Sequence, residues 1–173
     1  MISSAKRPIA LYPYLELNVG QEIQNFRTVP VSLGTETPKA FVSFYSANYD
    51  IDAGIRMFCY PTDTFKVMVY TEKGETLWKR DLGPGVVPGT AFSTFFAFDL
   101  DQDGIDEIWF VNNTDPLHPF NIDKYCLERV DPLTGKTTGQ WPWPKSDTNQ
   151  SQSHLFRCHI LGGHAKGEPV LVT

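Results

Sequence analysis

An all-β fold is what this sequence predicts, on three observations. Helical signals are almost absent, while short apolar or alternating runs recur between clusters of Gly, Pro, Asn and Asp. Aromatic residues make up 13% of the chain, twelve of them Phe, which favours pleated, half-buried surfaces. The chain also repeats itself. "VYTEKGETLW" and "RVDPLTGKTTGQW" each read as a strand, a glycine turn and a strand ending in Trp, and their glycines, Gly74 and Gly135, stand 61 positions apart. The pair of runs before each hairpin recurs too: "AFDLDQDGIDEIWF" aligns with "HILGGHAKGEPVLV" and sets Glu107 over Glu168 at the same separation.

Taken in order, strands are predicted over Val29–Leu33, Ala40–Ser46, Phe65–Thr71, Thr76–Asp81, Phe92–Asp99, Glu107–Asn112, Tyr125–Val130, His154–Leu161 and Pro169–Thr173, with the "KTTGQW" arm completing the second hairpin. "VSLGTETPKAFVSF" is an earlier and more degenerate copy of the strand pair. A four-stranded antiparallel unit repeated at this spacing is the pattern of a β-propeller blade. The expectation is a single β domain over residues 1–173, with blade-like units at about 26–83, 84–145 and 146–173. Two full units and half of a third cannot close a ring, which needs about four to eight blades, so a segment of a longer propeller is expected, completed by further blades or by a partner. A β-sandwich of about nine strands is the alternative architecture.

Bulk properties narrow the function classes. At 173 residues, 41% hydrophobic and 20% charged, the chain can bury one real core. A net charge of −5 argues against a nucleic-acid surface and against an anionic membrane face. No apolar run approaches the ~20 residues that span a bilayer, and the first twenty residues contain no signal-peptide block. Cys59, Cys126 and Cys158 each sit in an apolar run with no CxxC spacing, which reads as buried free thiols. A Cys59–Cys158 disulfide depends on the fold bringing the two together.

The stretch "FDLDQDGIDEIWF" concentrates acids that repel one another unless a cation sits among them. Asp99, Asp101 and Asp103 hold alternate positions of a turning loop, Gly104 permits a sharp reversal, and Glu107 follows. Ile105 can present its backbone carbonyl while its side chain turns inward. Such oxygens suit Ca²⁺, whereas Mg²⁺ wants fewer protein ligands and more water. The loop is too short for an EF-hand and strands flank it instead of helices. Asp106, alternating with Glu107, is expected to point away from the site. A solvated acidic turn is the bland reading of the same residues. At the matching positions the first copy has Ser32, Gly34 and Glu36 and the last has Gly-Gly-His, so one such site is expected.

With these residues in hand, the chain from about Val67 onward resembles the rhamnogalacturonan lyase family. "GETLWKRDLGPGVVPG", "FSTFFAFDLDQDGIDEI", "RVDPLTGKTTGQW" and "SHLFRCHILGGHAKGEPVLVT" follow that family's motifs in order and spacing. The calcium loop alone is shared with FG-GAP repeats. The resemblance implies a Ca²⁺-bearing β-propeller, β-elimination at galacturonate in pectic polysaccharide, and an extracellular or periplasmic location. It also implies Asp99, Asp101, Asp103 and Glu107 as calcium ligands, and His154 as the match to a family histidine. Ala91–Phe95, Asn112–Asp115 and Ser151–Ser153 depart from the family's polar and basic segments, so scaffold positions match better than substrate-handling ones. A non-catalytic FG-GAP-like module that binds glycan or protein is the alternative function.

Other candidates are fewer. His154, His159 and His164 recur every five residues, and that odd spacing places strand neighbours on opposite faces, against a shared metal. Trp141 and Trp143 in "QWPWP" could offer rings to a sugar, held extended at an edge by Pro142 and Pro144. Arg56 could meet a uronate carboxylate bidentately. "GPGVVPG" has no strand-to-helix setting, so it reads as a turn and not a phosphate cradle.

Overall fold

The computed structural model describes residues 11–34, 39–51, 60–144 and 158–173. Four strands, β1 (Asn25–Val31), β2 (Ala40–Ser46), β3 (Lys66–Thr71) and β4 (Thr76–Asp81), form one sheet in chain order. A second follows with β5 (Phe95–Phe98), β6 (Glu107–Asn113), β7 (Tyr125–Val130) and β8 (Thr137–Pro142). The hairpin β9 (Leu161–Ala165) and β10 (Glu168–Val172) begins a third. Every neighbouring pair is antiparallel. The all-β class and the four-stranded antiparallel units are therefore as the sequence predicts, including the repeat: β6 and β10 open on Glu107 and Glu168, and Gly74 and Gly135 both turn at positive φ.

Some boundaries differ for local reasons. The first strand starts at Asn25, because Asn25–Thr28 find partners along Ser43–Ser46 despite a polar composition. Residues 92–94 are not paired as strand: the Ser93 N–H bonds Gly89 O (3.0 Å), and the Thr94 hydroxyl reaches Cys158 O (2.8 Å). Of the run expected over His154–Leu161, the part before residue 158 lies outside the described residues, and the strand itself begins at Leu161.

The period-2 rule sorts the side chains. Val42 and Phe44 on β2, with Val67 and Val69 on β3, face the second sheet and pack on Ile108, Phe110 and Val130. Phe44 stacks on Phe95 with centroids 4.0 Å apart and meets Phe110 at 5.4 Å. Tyr45, Met68 and Tyr70 point the other way, where the extended segment carrying Leu15, Leu17 and Val19 covers them. The second sheet is likewise engaged on its far side, where Phe98 meets the His164 ring edge-on at 5.6 Å. The first strands of the three units adjoin in order, β1 beside β5 and β5 beside β9. Cys126 and Cys158 are buried free thiols, as expected; Cys59 lies outside the described residues.

A buried carboxylate ties the two sheets together. Glu128 on β7 has no exposed surface. It accepts from Arg80 of the first sheet (2.5 Å), from Thr137 (2.7 Å), from Gln140 (2.9 Å) and from the Asn112 amide. Burial pushes its pKa upward, but these donors, Arg80 foremost, outweigh burial and the net shift is downward. Trp78 adds a second tie, donating its indole N–H to Pro132 O across the joint (2.8 Å).

Removing Arg80 strands that charge. Arg80→Ala is expected to destabilise the fold by about 3 kcal/mol, the low end for a broken buried pair because three neutral donors remain; urea unfolding measures it. Glu128 titrates below the unfolded value of about 4.3. Its contribution is therefore complete above that pH and is lost as pH falls through the folded pKa. The stability gap between wild type and Arg80→Ala should accordingly narrow on acidification.

Candidate functional site

Strand alternation divides the molecule into two ends. Among the described residues, the connecting stretches 32–34 and 39, 72–75, 99–106, 131–136 and 166–167 lie at one end, and 47–51 with 60–65, 82–94, 114–124 and 143–144 with 158–160, which join strands further apart in sequence, lie at the other. The acidic loop belongs to the tight-turn end.

That loop is built by its own carboxylates. Asp99 accepts the N–H of Asp103 (3.1 Å) and of Gly104 (2.8 Å), and Asp103 accepts that of Ile105 (2.8 Å). Gln102 and Gly104 take φ of 62° and 90°, curling the chain back on itself. The result brings one carboxylate oxygen from each of Asp99, Asp101 and Asp103 within 4.8 Å of the others. Glu107 is held differently. Its carboxylate accepts the Leu100 N–H (3.0 Å) and an Arg129 guanidinium N–H (3.2 Å). Burial, then the nearby Asp101 and Asp99, raise its pKa against the pull of the Leu100 N–H and Arg129. Ile105 forms an isolated bridge with Leu33 of the first unit. Asp106, outside the cluster of three aspartates, takes the Ser32 N–H (2.7 Å), while Ser32 donates its hydroxyl to Gly104 O (2.9 Å). Among the described residues no basic side chain bonds to these three hard oxygen donors, which could hold a calcium ion. The same loop is laced to the neighbouring unit.

The long-loop end carries a feature that the sequence reading passed over. "GPGVVPG" turns at Pro84–Gly85, as expected, but it is packed inside: Gly85–Gly89 is buried, and a Cβ at Gly85 would lie 2.5 Å from Asp115 O, one at Gly89 2.2 Å from Ile51 O. This plug, with Asn113 Nδ2 on Gly85 O (2.9 Å), sets the loop after β6. In it Asp115 holds the His118 Nδ1 at 2.9 Å and the Asn121 amide at 2.9 Å. The hydrogen bond from Asn121 lowers the Asp115 pKa most, and with those from His118 and the Leu117 N–H brings it down to about 2 against desolvation. Tyr60, Leu117, Pro119, Phe120 and Asn121 surround the pair in a recess of about 470 Å³. The signal was the Asp-x-x-His spacing of "DPLHPF", which looks like any polar turn until the plug is known.

The remaining candidates separate. Trp141 is 44% exposed, lies 5.8 Å from the Trp109 ring and has the Arg129 guanidinium over it at 5.9 Å. Trp143 packs instead into the core cluster beneath the long loops. The two rings do not form one platform. Arg56 and His154 lie outside the described residues. Arg27, not singled out from the sequence, donates to Ser93 O (3.2 Å) and lies 5.4 and 5.3 Å from the Phe65 and Phe95 rings, and burial lowers its pKa despite the field of Asp50. No helix among the described residues is long and apolar enough to cross a membrane.

No family model matches the sequence, and no curated protein matches it either. Solved structures do match in fold. An exotype rhamnogalacturonan lyase, YesX, is similar over 84% of this chain, with a TM-score of 0.61 at 17% identity. Rhamnogalacturonan lyase PL11 of Bacillus licheniformis is similar over 83%, with a TM-score of 0.57 at 14% identity. The chain spans 29% and 30% of the lengths of those proteins.

Gly104 is where the loop's geometry is most easily broken. A Cβ there meets nothing within 4 Å, so any cost comes from φ alone. Gly104→Ala should destabilise the protein by about 1–2 kcal/mol, read from the denaturant midpoint. The fold of the two sheets this chain shares with rhamnogalacturonan lyases would stay intact by circular dichroism.

Proposed function

We propose that this chain is a Ca²⁺-clipped segment of a β-propeller that acts on, or binds, pectic polysaccharide, by β-elimination at galacturonate where it is active. The observation that carries the reading is the fold likeness to two rhamnogalacturonan lyases over more than four-fifths of the chain. The acidic loop supports the calcium half. Asp99, Asp101 and Asp103 would hold the ion, with the Ile105 carbonyl and Glu107 as further oxygens. A bound ion there supplies the positive charge that these carboxylates otherwise lack. The loop's ties to Ser32 and Leu33, at the end away from the long connections, favour a clip between units over a role at the reacting sugar.

In β-elimination a base removes the proton beside the uronate carboxylate, the electron pair forms the new C=C bond, and the C–O bond to the leaving sugar breaks. His154 is the base that the family resemblance proposes, and Arg56 and Trp141 are candidates for contact with the polymer. Extracellular or periplasmic action is consistent with such a substrate. The second reading, a non-catalytic FG-GAP-like module, is favoured by the departures at Ala91–Phe95 and Asn112–Asp115.

Two experiments test these halves separately. Calorimetric titration of Ca²⁺ into chelator-treated protein should give one site, lost in Asp101→Ala/Asp103→Ala. At a hundredfold excess over Kd the ion should stabilise the wild type by about 2.7 kcal/mol. No heat and no stabilisation would reduce the loop to an acidic turn. Incubation with rhamnogalacturonan should raise ultraviolet absorbance from the unsaturated product, and His154→Ala should abolish it. Binding without product would favour the non-catalytic module.

A further inference from the structure

The Asp115–His118 recess stands apart from the acidic loop, at the opposite end of the sheets. Its chemistry is specific. Asp115 takes the Leu117 N–H (3.1 Å), the Asn121 amide and the His118 Nδ1, so its two oxygens are fully engaged in fixing the imidazole. An Nδ1–H held by a carboxylate turns Nε2 outward as the free position. The His118 side chain is 70% exposed and lines the recess, and its Nε2 has no partner among the described residues. Tyr60 is also 70% exposed and meets Phe120 edge-on at 5.3 Å, while Phe120 is anchored behind by Phe92 at 5.8 Å. A standing aromatic face beside one oriented polar group is the arrangement that recognises a sugar: C–H face on the ring, hydroxyl on the imidazole. The volume of about 470 Å³ falls within the range of small-molecule sites, about 300–1,000 Å³.

We propose that the Asp115–His118 recess is a binding subsite for a single neutral sugar residue, stacked on Tyr60 and hydrogen-bonded through a ring hydroxyl to His118 Nε2. Neutral is favoured over anionic for an electrostatic reason. Asp115 is ionised, and among the described residues no Arg or Lys lines the recess to balance a second carboxylate. A hydroxyl both donates and accepts, so it satisfies Nε2 in either protonation state of the ring; a carboxylate satisfies it only when the ring is protonated. The choice of a sugar as ligand rests on the polysaccharide reading above; the choice of this recess and of a neutral ring does not. Asp115 acts here as a positioning residue.

Galactose and galacturonate differ only at C6, so they isolate the charge. In a nuclear magnetic resonance titration of the whole chain, galactose should shift the His118 imidazole and Tyr60 ring signals in a saturable way. Galacturonate should bind at least tenfold more weakly. His118→Ala and Tyr60→Ala replace exposed side chains, so both should keep the wild-type spectrum elsewhere and lose the response. Asp115→Asn should change the imidazole nitrogen shifts of the free protein and weaken galactose, a spectroscopic effect that a merely structural role would not produce. Silence with both sugars overturns the proposal. So does galacturonate binding as tightly as galactose, or a galactose response that survives both alanine variants. Since no turnover enters this measurement, its failure is separate from failure of the lyase reading, which the absorbance assay decides.

Discussion

A sheet with large apolar side chains on both faces is unstable alone, and that constraint organises this molecule. Phe44 and Val69 need the second sheet on one side, and Tyr45 and Met68 need the 15–19 segment on the other. Burying a side chain such as Phe44 is worth about 1.5–3 kcal/mol, and that gain exists only when a neighbour is in place. Stability is therefore shared between units: each sheet supplies half of the next one's core.

Polar groups at the joint follow from the same constraint. Once both faces are covered, any charge caught between the sheets must be paired inside. Glu128 meets this condition by drawing Arg80 from the adjoining sheet and three neutral donors from its own. Apolar burial makes the joint strong but tolerant of sliding; the directional bonds of Glu128, and of Trp78 to Pro132 O, fix one register. The Ser32 contacts to Asp106 and Gly104 do the same at the rim.

Much of the fold was legible because its signals are local. Alternation in "AFVSFYS" and "KVMVYT", the glycine turns and the 61-residue repeat each depend on a few adjacent residues. The acidic loop was legible for the same reason, its three aspartates lying within five positions. Long-range placement was not. "GPGVVPG" has the composition of a turn, and only the approach of Ile51 and Asp115 backbones shows why glycine is needed inside a packed plug. Trp141 and Trp143 share a strand-like segment yet part company, because the strand ends between them at Pro142 and Trp143 drops into the loop core. The Asp115–His118 pair was invisible for a related reason: its meaning comes from Tyr60, more than fifty positions earlier.

The two-ended layout has an evolutionary consequence. Tight turns and the acidic loop hold the units in register at one end, where an insertion would disturb pairing directly. Connections at the other end leave the sheets through segments whose length the strands do not dictate. Lineages descending from such a scaffold can therefore rewrite what the long connections recognise while inheriting the clamped end unchanged. Sequences can then differ far more than shapes do, as between this chain and a rhamnogalacturonan lyase of similar fold at 17% identity.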